Sequence, residues 1–121
     1  MKIKINGYIK DINNNIITRF TEKAIKTKTK ISYILNNEKY TLKIITFKKL
    51  VLIRENNEIK NIIYFELNKT ISSEYIIKQN NITLDIDIKT LDLVINHNII
   101  NIMYLVIDSQ SKYEYKIEMS D

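Results

Sequence analysis

Apolar and polar residues alternate along almost the whole chain, and short runs of asparagine break the alternation. A period of two puts every second side chain on one face of an extended strand, whereas an amphipathic helix needs a period near 3.6, which is hard to find here. Ile3, Ile5 and Ile9 alternate with Lys2, Lys4, Tyr8 and Lys10, and Asp11-Ile12-Asn13-Asn14-Asn15 reads as a turn. From Ile16 the chain stays extended, with room for a bend near Glu22 to Ala24. In the next stretch Ile25, Thr27, Thr29, Ile31, Tyr33 and Leu35 share one face, and Lys26, Lys28, Lys30 and Ser32 share the other. Asn36-Asn37-Glu38 reads as a hairpin loop, followed by alternating Tyr40, Leu42 and Ile44. Strands over 50–55, 59–66, 70–78, 82–95, 100–106 and 112–119 follow in the same rhythm. Within 82–95 the apolar parity moves from Ile82, Leu84, Ile86 and Ile88 to Leu91, Leu93 and Ile95, which predicts a bulge or corner near Lys89-Thr90.

About ten strands joined by turns of two to four residues form an antiparallel meander. Such a sheet, twisted and apolar on one face, removes its exposed edges by closing on itself. The expectation is one all-β domain over residues 1–121, a single antiparallel up-and-down β-barrel of about eight to ten strands. The alternative is a two-sheet sandwich. Closure would pair the first strand with the last, bringing Lys2, Lys4 and Lys10 near Glu114 and Glu118.

The chain has 27 Ile, 17 Lys and 15 Asn among 121 residues, with one Gly, no Pro and two Arg. The abundant residues have A/T-rich codons and the scarce ones G/C-rich codons, so part of the net charge of +5 reflects codon usage. It also follows that Asn takes turn positions where Gly would serve, since its short amide tolerates the left-handed region. With no Cys and a single Gly, a disulfide scaffold, a thiolate metal site, a Cys nucleophile and a glycine-rich phosphate loop are excluded. The N-terminal residues alternate instead of forming a continuous apolar segment, and no window approaches the ~18 apolar residues of a membrane helix. A cytoplasmic protein with no cofactor, no metal and no membrane partner is expected.

Few residues suggest chemistry. His97, the only histidine, lies between two Asn in a turn, where a solvated loop residue is expected. Asp85 and Asp87 share the polar face of their strand with Asp92 nearby, an arrangement that suits a hard cation, an acid/base pair or, as expected for outward residues, pairing with neighbouring Lys. Glu66 and Glu74 are the carboxylates closest to ambiguous faces, and no nucleophile–base pair is recognisable. Tyr33, Tyr40, Tyr75 and Tyr104 fall on the apolar faces of their strands, with Ser73, Thr27 and Thr29 available to their hydroxyls. Tyr combines an apolar body with a polar tip that needs a partner when buried, so this set either lines a pocket or fills the core. Residues 1–60 carry 14 basic and 5 acidic side chains, against 5 and 9 in residues 61–121. Lys26, Lys28, Lys30, Lys48 and Lys49 mark a basic patch that either contacts RNA or another polyanion or guards strand edges. In the penultimate strand Ile99, Met103 and Leu105 oppose Ile100, Ile102, Tyr104 and Val106, so both faces are apolar and a homodimer contact is expected there.

The spacing of Lys30-Ile31-Ser32-Tyr33 and its hairpin to Tyr40, Leu50-Val51-Leu52-Ile53-Arg54, Lys69 to Tyr75, Ile82-Thr83-Leu84-Asp85-Ile86 and Ile100-Asn101-Ile102-Met103-Tyr104 resembles the YwiB-like family. These are bacterial proteins of unknown function with a calycin-like, lipocalin-related β-barrel. The likeness spans roughly residues 30–106. Asn80, Asn81 and Asn98 stand where such sequences tend to have Gly, and Gly7-Tyr8-Ile9 has the Gly but not the Trp of the signature that opens true lipocalins. The resemblance implies the barrel and carries no catalytic residues. Two functions are expected from these observations. One is a non-enzymatic barrel binding a small hydrophobic or amphipathic ligand in its interior; the other is an interaction module for a protein or polyanion.

Overall fold

The computed structural model describes residues 1–120 as ten antiparallel strands. They are β1 (Lys2–Asp11), β2 (Ile16–Lys26), β3 (Lys30–Leu35), β4 (Glu38–Thr46), β5 (Lys49–Glu55), β6 (Ile59–Glu66), β7 (Thr70–Ile77), β8 (Ile82–Ile95), β9 (Ile99–Val106) and β10 (Ser111–Ser120). Each strand pairs with its sequence neighbours, and β1 pairs with β10 to close an up-and-down barrel. The closing register puts Lys10 opposite Glu114. Glu118 faces Asn6 across the ladder and forms its ion pair with Lys116 at 3.5 Å.

Asparagine makes the turns. Asn15, Asn36, Asn37, Asn68 and Asn81 all have positive φ, and Gln110 is the one other residue that does among those described. Asn36 and Asn37 are the two linking residues between β3 and β4, and both take the left-handed conformation that a tight hairpin of this hand requires.

One detail of the expected strand pattern is corrected. The stretch 25–35 is not one strand: residues 27–29 form a turn between β2 and β3. The turn resets the parity, so Ala24 is buried and Ile25 exposed before it, while Ile31 and Tyr33 are buried after it. Thr27 and Thr29 therefore do not share a face with Tyr33, and Lys26, Lys28 and Lys30 do not line one strand face. The parity change in β8 is the bulge expected near Lys89-Thr90: it falls at Leu91, between the paired residues Thr90 and Asp92.

The barrel has two weak seams. β2 meets β3 only over Ala24–Lys26, and β6 meets β7 only over residues 59–62. Beyond Ile62 the edge of β6 is satisfied by side chains. The Tyr64 amide donates to Ser73 Oγ at 3.1 Å, and the Glu66 amide donates to Thr90 Oγ1 at 3.2 Å. Ser73 and Thr90 are the two buried polar residues of the described chain, and their hydroxyls replace the missing ladder bonds.

The interior is filled unevenly. The end of the barrel that carries the β2–β3, β4–β5, β6–β7 and β8–β9 turns is occupied by the fully buried side chains of Ile5, Ile31, Leu42, Leu50, Phe65, Ile100, Ile102 and Ile117. The opposite end carries the β1–β2, β3–β4, β5–β6, β7–β8 and β9–β10 turns, and there the interior is hollow.

Candidate functional site: a tyrosine-lined cavity at one end of the barrel

A cavity of about 310 Å³ opens at this second end. Its wall is mostly apolar, with Ile9, Leu52, Ile63, Ile86, Ile88 and Val106, and it carries a polar set of Tyr40, Tyr104, Tyr113, Tyr115, Ser73, Asn61 and Arg54. The strand pattern explains this composition. The inward positions of β5 are Leu50, Leu52 and Arg54, and those of β10 are Ile117, Tyr115 and Tyr113. In both strands the inward residue changes from aliphatic to polar on passing from the packed end to the open end.

Aromatic rings form the floor and one side. Phe20 stacks on Tyr33 at 5.5 Å between centroids, and Tyr33 on Tyr40 at 5.0 Å. Tyr104 contacts Phe65 at 5.0 Å and Tyr113 at 5.5 Å. The buried hydroxyls of Tyr33 and Tyr115 hydrogen-bond to each other across the barrel. Burial is the main reason that Tyr33, Tyr104 and Tyr115 all ionise well above the ordinary phenol range. Tyr40 is raised too, first by burial and then by the charge of Glu38. Neutral at physiological pH as any phenol is, these hydroxyls can both donate and accept.

One cation lines the cavity. Arg54 Nε lies 3.1 Å from Glu38 Oε2, close enough for charge attraction. The N–H is not aligned on that oxygen, however, and neither atom has a hydrogen-bond partner among the described residues although both are buried. The Arg54 charge also reaches Tyr40 and Tyr104, where it opposes the upward effect of burial.

The sequence-based candidates divide as follows. Tyr40, Ser73 and Tyr104 line the cavity, and Tyr33 packs beneath it as a buried core ring that stacks on Tyr40. Ser73 has a structural duty as well, because its oxygen holds the Tyr64 amide. Tyr75 does not line the cavity. It has the inward parity, yet it sits nearer the β7–β8 turn and borders a separate surface depression with Asn57, Glu58 and Lys78. Arg54, Tyr113 and Tyr115 were not among the expected site residues. The signal for all three was present, since Arg54 continues the parity of Leu50 and Leu52, and Tyr113 and Tyr115 that of Ile117.

The lysines gather at the packed end, on the far side from the cavity. Lys26 donates to the His97 carbonyl at 3.2 Å, and Lys49 reaches Glu66 at 3.7 Å. Lys48 sits over the exposed Phe47 ring at 5.4 Å, Lys28 is exposed in the β2–β3 turn, and exposed Lys30 stands opposite Lys43. Glu66 is held below the usual carboxylate range, chiefly by its hydrogen bond from Lys69. Asp85, Asp87 and Asp92 are exposed on β8, and the Asp92 carboxylate accepts from the Leu93 amide at 3.0 Å. Met103 and Leu105, the outward apolar residues of β9, are half-buried between β8 and β10. No helix of the described residues is long and apolar enough to cross a membrane.

No family model matches the chain, and neither does any curated protein. A solved structure with the same fold is the crystal structure of the ywiB protein from Bacillus subtilis. It superposes with a TM-score of 0.67 at 14% identity, over 98% of this chain and 89% of that one.

Proposed function

We propose that this chain is a calycin-like barrel of the YwiB-like group that binds a small hydrophobic or amphipathic molecule in its open end, without catalysis, in the cytosol. The observation that carries the reading is the contrast between the two ends. The packed end shows that this sequence, rich in large aliphatic residues, can fill a barrel of this size. The open end instead keeps about 310 Å³ free and lines it with tyrosine hydroxyls set among apolar side chains. Pockets of roughly 300–1,000 Å³ with a mainly apolar wall and a few placed polar groups are typical of small-molecule sites.

Native mass spectrometry of gently purified protein tests this directly. The expected result is a reproducible extra mass that leaves on denaturation and is lost when Tyr104 is replaced by a residue that fills the space, Tyr104→Trp. A bare mass under every purification condition, together with no uptake of added amphiphiles, contradicts it.

A second reading rests on the lysines at the packed end, where Lys28 and Lys48 lie in the β2–β3 and β4–β5 turns and Lys30 stands opposite Lys43. There the chain would contact a polyanion such as RNA through a patch separate from the cavity. Arg is scarce, so such binding would be electrostatic and sequence-independent. Retention of RNA in low salt, lost when these four lysines are changed to Gln, supports it, and no retention ends it.

A further inference from the structure

We propose that the molecule held in the cavity carries a single negative charge at its head, and that this head displaces Glu38 from Arg54. The inference rests on the cavity-binding reading and narrows it to a class of ligand.

The chain has 17 Lys and only two Arg, and one of the two is placed in the cavity wall. Arg54 is 35% exposed, so water covers part of its charge, but a ligand filling the cavity would strip that water and leave the charge costly unless the ligand paired with it. Glu38 is the one carboxylate within ion-pair distance of Arg54 among the described residues, and the contact is poor. Its 3.1 Å separation brings the charges together without an aligned bond, leaving Arg54 Nε and Glu38 Oε2 both buried and unpartnered. A guanidinium presents five donors in a planar fork. A carboxylate or similar oxyanion entering the cavity can take two of them in parallel, a geometry that Glu38 does not achieve.

The surrounding groups favour an anion over a neutral or cationic head. Tyr40 and Tyr104 in the wall are neutral phenols at physiological pH, so they offer donors and no competing negative charge. A cationic head would meet Arg54 with like charge. Glu38 can leave at little cost, because its side chain is already a quarter exposed and it follows directly on the β3–β4 turn. The size is also restrictive. A volume of 310 Å³ is about ten times the roughly 30 Å³ that one water molecule occupies in the liquid. That suits a ligand of about ten non-hydrogen atoms, a short apolar body behind one head group.

Isothermal titration of the whole chain with octanoate, octanol and octylamine tests this, since the three probes share a body and differ in head group. Octanoate is expected to bind about tenfold or more tightly than octanol, the range of a charge-assisted hydrogen bond. Glu38→Gln removes the competing carboxylate and strengthens octanoate while leaving octanol unchanged. Arg54→Met abolishes the preference, bringing the ratio of octanoate to octanol affinity within that variant to one or below, and Arg54→Lys, which retains charge but not the fork, falls between. Circular dichroism confirms that each variant is folded. Equal affinity for octanoate and octanol, or a preference for octylamine, overturns the anionic head while leaving the cavity reading intact. Failure of all three probes to bind overturns both.

Discussion

Gly7, the only glycine, lies in the middle of β1 and not in a turn. Its register partner is Phe20, whose ring lies across it, and a Cβ there would come within 2.5 Å of Phe20 Cζ and 2.6 Å of the Lys116 carbonyl oxygen. The ring can shift, but the carbonyl belongs to the β1–β10 ladder and cannot. Gly7→Ala should therefore destabilise the barrel by about 1–3 kcal/mol, the usual range for overpacking, read as a lower denaturation midpoint. An unchanged midpoint would show that the ladder yields more easily than its geometry suggests. Ser73 and Thr90 have a comparable structural weight. Thr90→Val keeps the shape and removes the acceptor of the Glu66 amide, so it should cost about 1–3 kcal/mol, the penalty for a buried unsatisfied donor. Asn37 points the other way. With φ at 65° it is a non-glycine residue where glycine is at ease, and Asn37→Gly should raise stability by about 0.5–1 kcal/mol.

At the scale of elements, the two seams divide the barrel into a four-stranded face, β3 to β6, and a six-stranded face running from β7 through β10 to β1 and β2. The β6–β7 seam is held by Ser73 and Thr90, whereas β2 from Ile16 to Lys23 has no ladder on its outer side. Amides of this segment that point away from β1 should exchange hydrogen orders of magnitude faster than those between β1 and β10, as expected of locally open structure. Equal protection on both sides of β2 would mean that the seam is closed in solution. The elements also show what alternation conveys and what it omits. Parity placed Tyr33, Tyr40 and Tyr104 inward and required the first strand to meet the last, because both follow from which face a residue occupies. It misplaced Thr27 and Thr29, since the turn at 27–29 carries neither Asn nor Gly to announce itself. It assigned Tyr75 to the interior pocket because parity says nothing about depth along the barrel axis. Arg54 was passed over for the opposite reason: it shares the parity of Leu50 and Leu52, yet a charged residue is not read as inward until a space for it is seen.

For the molecule as a whole, stability and function divide between the ends. The packed end holds most of the large buried side chains, and the open end holds tyrosines whose ionisation is pushed upward by burial. The sign of the pH dependence follows from that. Tyr33, Tyr104 and Tyr115 ionise higher in the folded chain than when unfolded, so their contribution is fully present below the ordinary phenol pKa of about 10 and is lost as pH rises above it. Tyrosinate absorbance should accordingly show a late rise as Tyr33, Tyr104 and Tyr115 ionise, together with loss of β-structure. No late rise, with the fold intact, would show that the cavity is wet enough to ionise them. The claim that one end is built to hold a ligand is tested most directly by labelling the isoleucine methyl groups and titrating octanol by NMR. Shifts are expected at Ile9, Ile63, Ile86 and Ile88 around the cavity alone, with Ile5, Ile31, Ile100 and Ile117 at the packed end unmoved. Shifts at the packed end or on the outer surface, or none at saturating octanol, would contradict it.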